Sequence, residues 1–335
     1  MMKDDTLEFA MLDLHLHLDG ALTPRMAGQL AEVQGIKLPA EDEETLKKML
    51  MVPADCSSLN DFLKCFELPL SLMQTEMGIR RAVELVRENI ASQGVIYAEI
   101  RFAPQLHTRK GLTQEDVVKA ALEGIHSPGC KTNLILCCMR GADNEEANAE
   151  TLELAKKYLV EDEGVVALDL AGAEALFPTG GYRELFARAK EFGIPFTIHA
   201  GEADGAESVR LAVEYGAARI GHGTRSYEDP EVMKLLQEKE IFLEMCPTSN
   251  RMTHAVPDMR DFPLISYLDR GIRVTLNTDD MGIEGITLRD EFRYIKESFG
   301  LTEEQRRTLI LNAIDAAFTS DEVKSSMRRK YERDH

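Results

Sequence analysis

Short apolar runs rich in β-branched residues alternate along the chain with longer stretches of helical period, the arrangement of βα units around a parallel sheet. Eight runs have strand length: Met11–Leu18, Val95–Phe102, Asn133–Met139, Val165–Leu170, Pro195–His199, Arg219–Gly221, Ile241–Met245 and Arg273–Asn277. Eight parallel strands close a (β/α)8 barrel. An open doubly wound sheet would instead carry a glycine-rich phosphate turn, and Gly221-His222-Gly223 lacks the remaining glycine of that fingerprint. The expected fold is therefore an α/β barrel of the TIM type, one domain over residues 1–335.

The spacing breaks once. Roughly 75 residues separate the first two runs, against about 30 for a βαβ unit, which predicts an extra helical layer over residues 22–92. Within it Leu59, Phe62, Leu63 and Phe66 fall at i, i+3, i+4 and i+7, the stripe of one helix face. Such a stripe reads first as core packing. Its place after the first strand puts it at the C-terminal mouth of a barrel, where a lid over a site is the second reading. Thr302-Glu303-Glu304-Gln305 has the capping-box pattern and starts a closing helix through Ala317.

Composition narrows the functional classes. With 335 residues, 44% hydrophobic and 29% charged, the chain resembles a soluble globular protein with a substantial core. A formal net charge of −19 repels nucleic-acid phosphates, and no segment has the length of a membrane span. The N-terminus lacks the apolar stretch of a signal peptide, and six cysteines without CxxC spacing read as reduced thiols. A cytoplasmic protein needing no protein partner is expected.

Candidate chemistry collects at the ends of predicted strands. His15 and His17 alternate with leucines and so share one face of the first strand with Asp13. His199, His222 and the Asp279-Asp280 pair end three later strands, whereas His107, His126, His254 and His335 fall in loops or the tail. In a barrel those ends meet at one mouth. Any of these residues alone reads as a satisfied core side chain or a cap; together they suggest a metal site. Imidazoles with a carboxylate suit one Zn²⁺, whose Lewis acidity makes hydrolysis near neutral pH the natural use. Glu202, three residues past His199 and predicted to start a helix, is a candidate proton donor or acceptor, or else a first-turn glutamate favoured by the helix dipole. Asp279 and Asp280 should diverge in extended chain. No HExxH, paired CxxC or HxE with PCxxC is present, and the fourth strand does not end in lysine, so one metal is expected.

The segments HLHLDG at 15–20, DLAGAE at 169–174, HAGE at 199–202, GHG at 221–223 and NTDD at 277–280 together resemble the adenosine deaminase family, over nearly the whole chain. The resemblance implies a zinc ion held by His15, His17, His199 and Asp279, with His17 also facing substrate. It implies Glu202 as donor to the purine ring nitrogen and His222 as base or electrostatic guide for water. Asp280 and Gly172 would contact the purine, Asp19 a ribose hydroxyl, and Leu59, Phe62, Leu63 and Phe66 would form an apolar wall. The implied reaction turns adenosine and deoxyadenosine into inosine and deoxyinosine with loss of ammonia.

Met281 stands where many relatives carry proline, and residues 101–110 and the stretch around Arg251 differ from the animal enzymes, leaving ribose-side specificity open. Related adenine deaminases resemble HxEG where this chain has His17-Leu18-Asp19-Gly20. Deaminases of adenine or of modified adenosines, such as aminodeoxyfutalosine or 5′-methylthioadenosine, are the alternatives. An AMP enzyme fits less well, since no basic cluster lies near the mouth loops. A nucleoside-binding module without catalysis is the reading from a different class.

Overall fold

The computed structural model describes residues 9–40, 42–53, 64–256 and 258–333. The eight strands are β1 (Met11–His17), β2 (Val95–Phe102), β3 (Lys131–Met139), β4 (Val165–Ala171), β5 (Thr197–Ala200), β6 (Arg219–His222), β7 (Phe242–Met245) and β8 (Arg273–Leu276). All neighbouring pairs are parallel, in two four-stranded halves ordered β1-β2-β3-β4 and β5-β6-β7-β8. Single bridges close the ring, Leu168 with Phe196 at one seam and Leu16 with Asp279 at the other. This is the predicted barrel, and each strand lies on its predicted run. Pro195 falls just outside β5 because it has no N–H to give the ladder, yet its carbonyl accepts the Leu168 N–H at 3.0 Å.

The β8–β1 seam is stitched by residues beyond the end of β8. Asn277 Oδ1 accepts the Leu14 N–H at 3.0 Å, the Asp279 N–H donates to His15 O at 2.8 Å, and the His17 N–H donates to Asp279 O at 2.9 Å. Thr278 Oγ1 donates to Asp13 at 2.6 Å. Asp13 therefore serves the seam, and burial pushes its carboxyl up to about 6 despite that hydrogen bond.

Between β1 and β2 the described residues form the helices Pro24–Gln34, Glu43–Leu50, Glu67–Leu72 and Glu76–Ser92. Thr23 and Thr75 cap two of them through their side chains, which is why the apolar periodicity there becomes helix. Part of this insertion returns over the strand ends: the Val52 N–H donates to Ile283 O at 2.8 Å, and Val52, Cys65, Phe66 and Met252 pack on Ile283. Leu59, Phe62 and Leu63 lie outside the described residues. The closing helix is Glu303–Ala316, with the capping box of Thr302 and Gln305 in place. No helix of the described residues is long and apolar enough to cross a membrane.

Outside the barrel, apolar helix faces pack onto the strands. Phe186 on the Arg183–Glu191 helix is fully buried, its ring 4.8 Å from that of Phe196 and 6.3 Å from that of Tyr215. Phe186→Ala would leave a cavity there and is expected to lower the unfolding free energy by about 3–5 kcal/mol. A lower urea midpoint at unchanged slope is the reading that checks it.

Candidate active site

Polar residues replace the usual branched apolar filling of the barrel interior. Glu99, Arg101, Asp169, Arg219 and Glu244, each within an apolar strand, are buried and point inward. Arg101 reaches Asp169 and Glu244, both at 2.8 Å, and Arg219 pairs with Glu244 and Glu99. Burial alone would raise these acids, but Arg101 and Arg219 hold Glu244 well below the usual carboxylate range. The Arg101 guanidinium and the hydrogen bond from His199 do the same for Asp169.

Two of these carboxylates orient imidazoles. His15 Nδ1 lies 2.7 Å from Glu244, and His199 Nδ1 lies 3.0 Å from Asp169. Each carboxylate accepts a hydrogen bond from Nδ1–H, which keeps the proton on that nitrogen and leaves a lone pair on each Nε2. The two Nε2 atoms face each other at 3.1 Å, and His17 Nε2 stands 3.1 Å from that of His199. Asp279 Oδ1 completes the group at 3.2 Å from His15 and 3.3 Å from His17. All four donor atoms lie within 4.8 Å of one another, close enough to share one ion at the roughly 2 Å of zinc–nitrogen and zinc–oxygen bonds. Converging lone pairs repel unless a cation lies among them, so the donor set fits a divalent ion. Gly221 allows this crowding, since a Cβ there would sit 3.0 Å from His15 Cε1 and 3.1 Å from His199 Cα.

His222, with a positive φ of 61°, brings Nε2 to 3.5 Å from Glu202 and 3.8 Å from Asp279. Asn250 Oδ1 accepts the Thr224 hydroxyl at 2.8 Å, which turns its amide nitrogen to His222 Nδ1 at 3.1 Å and Glu202 Oε1 at 3.4 Å. His222 Nδ1 is thus an acceptor and its proton sits on Nε2. Burial keeps this imidazole well below its ordinary pKa despite Asp279 nearby.

Glu202 does not begin a helix: the next helix is Ala206–Tyr215, so the helix-dipole reading fails and the side chain belongs to a turn at the mouth. Its carboxyl accepts the Thr253 hydroxyl at 2.9 Å. Burial, reinforced by Asp279, pushes it up to about 8. Asp279 and Asp280 do diverge, but through a left-handed turn at Asp279, φ 62°, and not through extended chain. Asp280 settles against Gly20, where a Cβ would fall on its carboxyl, and burial and Asp279 raise its pKa well above the usual range. Met281, the departure noted in the sequence, is buried and opens the short helix Met281–Glu284. Asp19 is partly exposed at the same mouth, its carboxyl raised to about 6 by burial. Gly172 turns the chain out of β4 with φ 105°. Phe66 is half-buried against the cluster of Val52, Cys65 and Ile283.

The sequence matches the adenosine deaminase family over residues 11–333. The chain belongs to that family. It is 49% identical to the adenosine deaminase of Haemophilus ducreyi over 326 residues, 96% of this chain and 95% of that one. Among solved structures it resembles an adenine deaminase from Arthrobacter aurescens, with a TM-score of 0.87, 29% identity and coverage of 97% and 98% of the two chains. The fold also matches an amidohydrolase from Burkholderia ambifaria solved with bound zinc, with a TM-score of 0.84, 22% identity and coverage of 97% and 90%. Membership makes this chain a hydrolase acting on carbon–nitrogen bonds, of a metal-dependent kind.

Reading for mouth residues alone misses the charged layer beneath them, as well as Asn250 and Thr253. One signal was available: Glu99, Arg101, Asp169, Arg219 and Glu244 are charges inside apolar strand runs, and a buried charge must be paired. Asp169→Asn and Glu244→Gln each remove a carboxylate that orients an imidazole. Each is expected to weaken metal binding by about 10- to 100-fold, as read by chelator competition.

Proposed function

We propose that the protein removes the amino group of adenosine and 2′-deoxyadenosine, giving inosine or deoxyinosine and ammonia, with one zinc ion on His15, His17, His199 and Asp279. The carrying observation is the pairing of that four-donor cluster with Glu202, a carboxyl that keeps its proton to about pH 8 beside it. When bound, Zn²⁺ supplies the Lewis acidity that ionises water near neutral pH.

The chain's own groups do the rest. Glu202 gives its proton to the ring nitrogen beside the amino-bearing carbon and makes that carbon electrophilic. Hydroxide adds to the carbon, the proton of the new hydroxyl passes to the amino group, and as the carbonyl forms the carbon–nitrogen bond breaks and the amino group leaves as ammonia. His222, neutral with its proton on Nε2, suits the role of electrostatic guide for the incoming oxygen better than that of base. Asp280, holding its own proton, donates to a nitrogen of the purine's five-membered ring. Gly172 contacts the purine, His17 borders it, and Asp19 receives a ribose hydroxyl. Phe66 belongs to an apolar wall with Leu59, Phe62 and Leu63, and the insertion acts as the lid. We place the enzyme in the cytoplasm, acting as a single domain on a small nucleoside.

Glu202→Gln is expected to abolish nearly all turnover while the metal stays bound; substantial remaining activity would exclude Glu202 as the proton donor. In the parent, the protonated form of Glu202 is the competent one. The rate should therefore hold below the raised pKa and fall as pH climbs through about 8, measured as kcat against pH. Ammonia release from adenosine, deoxyadenosine, adenine and 5′-methylthioadenosine, on chelator-treated protein before and after zinc addition, tests the substrate. Metal-dependent turnover of the first two alone is the expected result. Equal turnover of 5′-methylthioadenosine would remove Asp19 as the reader of a 5′-hydroxyl.

A further inference from the structure

Glu174 stands three residues beyond the end of β4 and is only 3% exposed. Its carboxyl gathers four consecutive backbone N–H groups. Oε1 accepts from Gly201 at 2.7 Å, and Oε2 accepts from Glu202 at 3.1 Å, Ala203 at 2.8 Å and Asp204 at 3.0 Å. These donors precede the Ala206–Tyr215 helix, whose N-terminus has no side-chain cap, so Glu174 holds a turn and not a helix end. The turn begins at Gly201, φ 71°, where a Cβ would meet Val209 at 2.5 Å, and Gly201 O accepts the Arg225 N–H at 2.8 Å. The backbone of Glu202 is therefore tied on both sides to a carboxyl from the loop that follows β4.

We propose that Glu174 is a positioning residue for the proton donor: by collecting the amides of residues 201–204 it fixes where the Glu202 carboxyl points. This rests on the reading of Glu202 as donor. A proton is transferred only over hydrogen-bond distance, and a displacement of about 1 Å costs on the order of 100-fold in rate. Thr253 and Asn250 steer the carboxyl at its tip, while Glu174 sets its root. Glu174 also adds negative charge behind Glu202 and so helps it keep its proton.

The experiment compares metal-loaded parent, Glu174→Gln, Glu174→Asp and Glu202→Gln with adenosine, measuring kcat, KM, metal content and the kcat–pH profile. Glutamine offers one oxygen and turns an NH₂ towards N–H donors, so it cannot hold the turn. Glu174→Gln should lower kcat by about 10- to 100-fold with KM within about threefold, bound metal unchanged and the basic limb moved to lower pH. Glu174→Asp keeps the charge but is one methylene short; it should lose less kcat and leave the limb in place. The double variant Glu174→Gln/Glu202→Gln should fall no further than Glu202→Gln alone.

Parental kcat and an unmoved limb in Glu174→Gln, even at lower thermal stability, would mark a purely structural role and overturn the proposal. So would a loss of rate that vanishes once activity is expressed per bound metal. If Glu174→Gln does not fold, parental kcat in Glu174→Asp overturns it equally. Activity retained in Glu202→Gln would overturn the donor assignment itself. A dead Glu202→Gln beside a parental Glu174→Gln would overturn only the role of Glu174.

Discussion

Arg101 sits where two demands meet. One guanidinium bonds Asp169 and Glu244, and those carboxylates face the Nδ1 atoms of His199 and His15. Its remaining reach goes to Leu14 O at 2.6 Å, on the strand that carries His15. Burying such charges costs several kcal/mol per ion unless geometry and hydrogen bonds offset it. Here the planar fork of arginine matches two carboxylates at once. Both imidazoles acquire a defined tautomer and direction from the same centre, and their lone pairs converge on one point.

The barrel holds carboxyl groups of two opposite kinds within a short distance. Asp169 and Glu244, next to arginines, stay ionised and accept the Nδ1–H of the imidazoles. Glu202 and Asp280, at the mouth and near Asp279, are pushed the other way. Burial acts on all four, and the sign of the nearest charge separates them. Below the donor cluster the acids stay ionised; above it they hold their protons.

Much of this was legible along the chain. The alternation of apolar runs predicts all eight strands, because a parallel strand buried on both faces has to be nearly continuous in Val, Ile and Leu. The period of two places His15 and His17 on one face, and strand ends meet in a closed barrel whatever their separation in sequence. Asp13 shares that parity yet serves the β8–β1 seam, since Thr278 reaches it across the closure. Parity along one strand cannot say which residue of a distant turn will be opposite. Glu202 read as a helix start because helices and mouth turns both favour an acid after a strand, and only the position of the Glu174 carboxyl separates the two.

The sequence by itself determined the barrel, the strand-end location of the donors and the family, since each follows from local period or from motifs a few residues long. The tertiary structure decided the directions. Asp279 and His222 adopt left-handed backbone that residue type does not announce, and Asn250 selects the tautomer of His222 across 28 positions. Arg101 joins carboxylates 68 and 143 positions away. Proton placement depends on which charge lies within a few ångströms, and that distance is set by how the strands close into a ring.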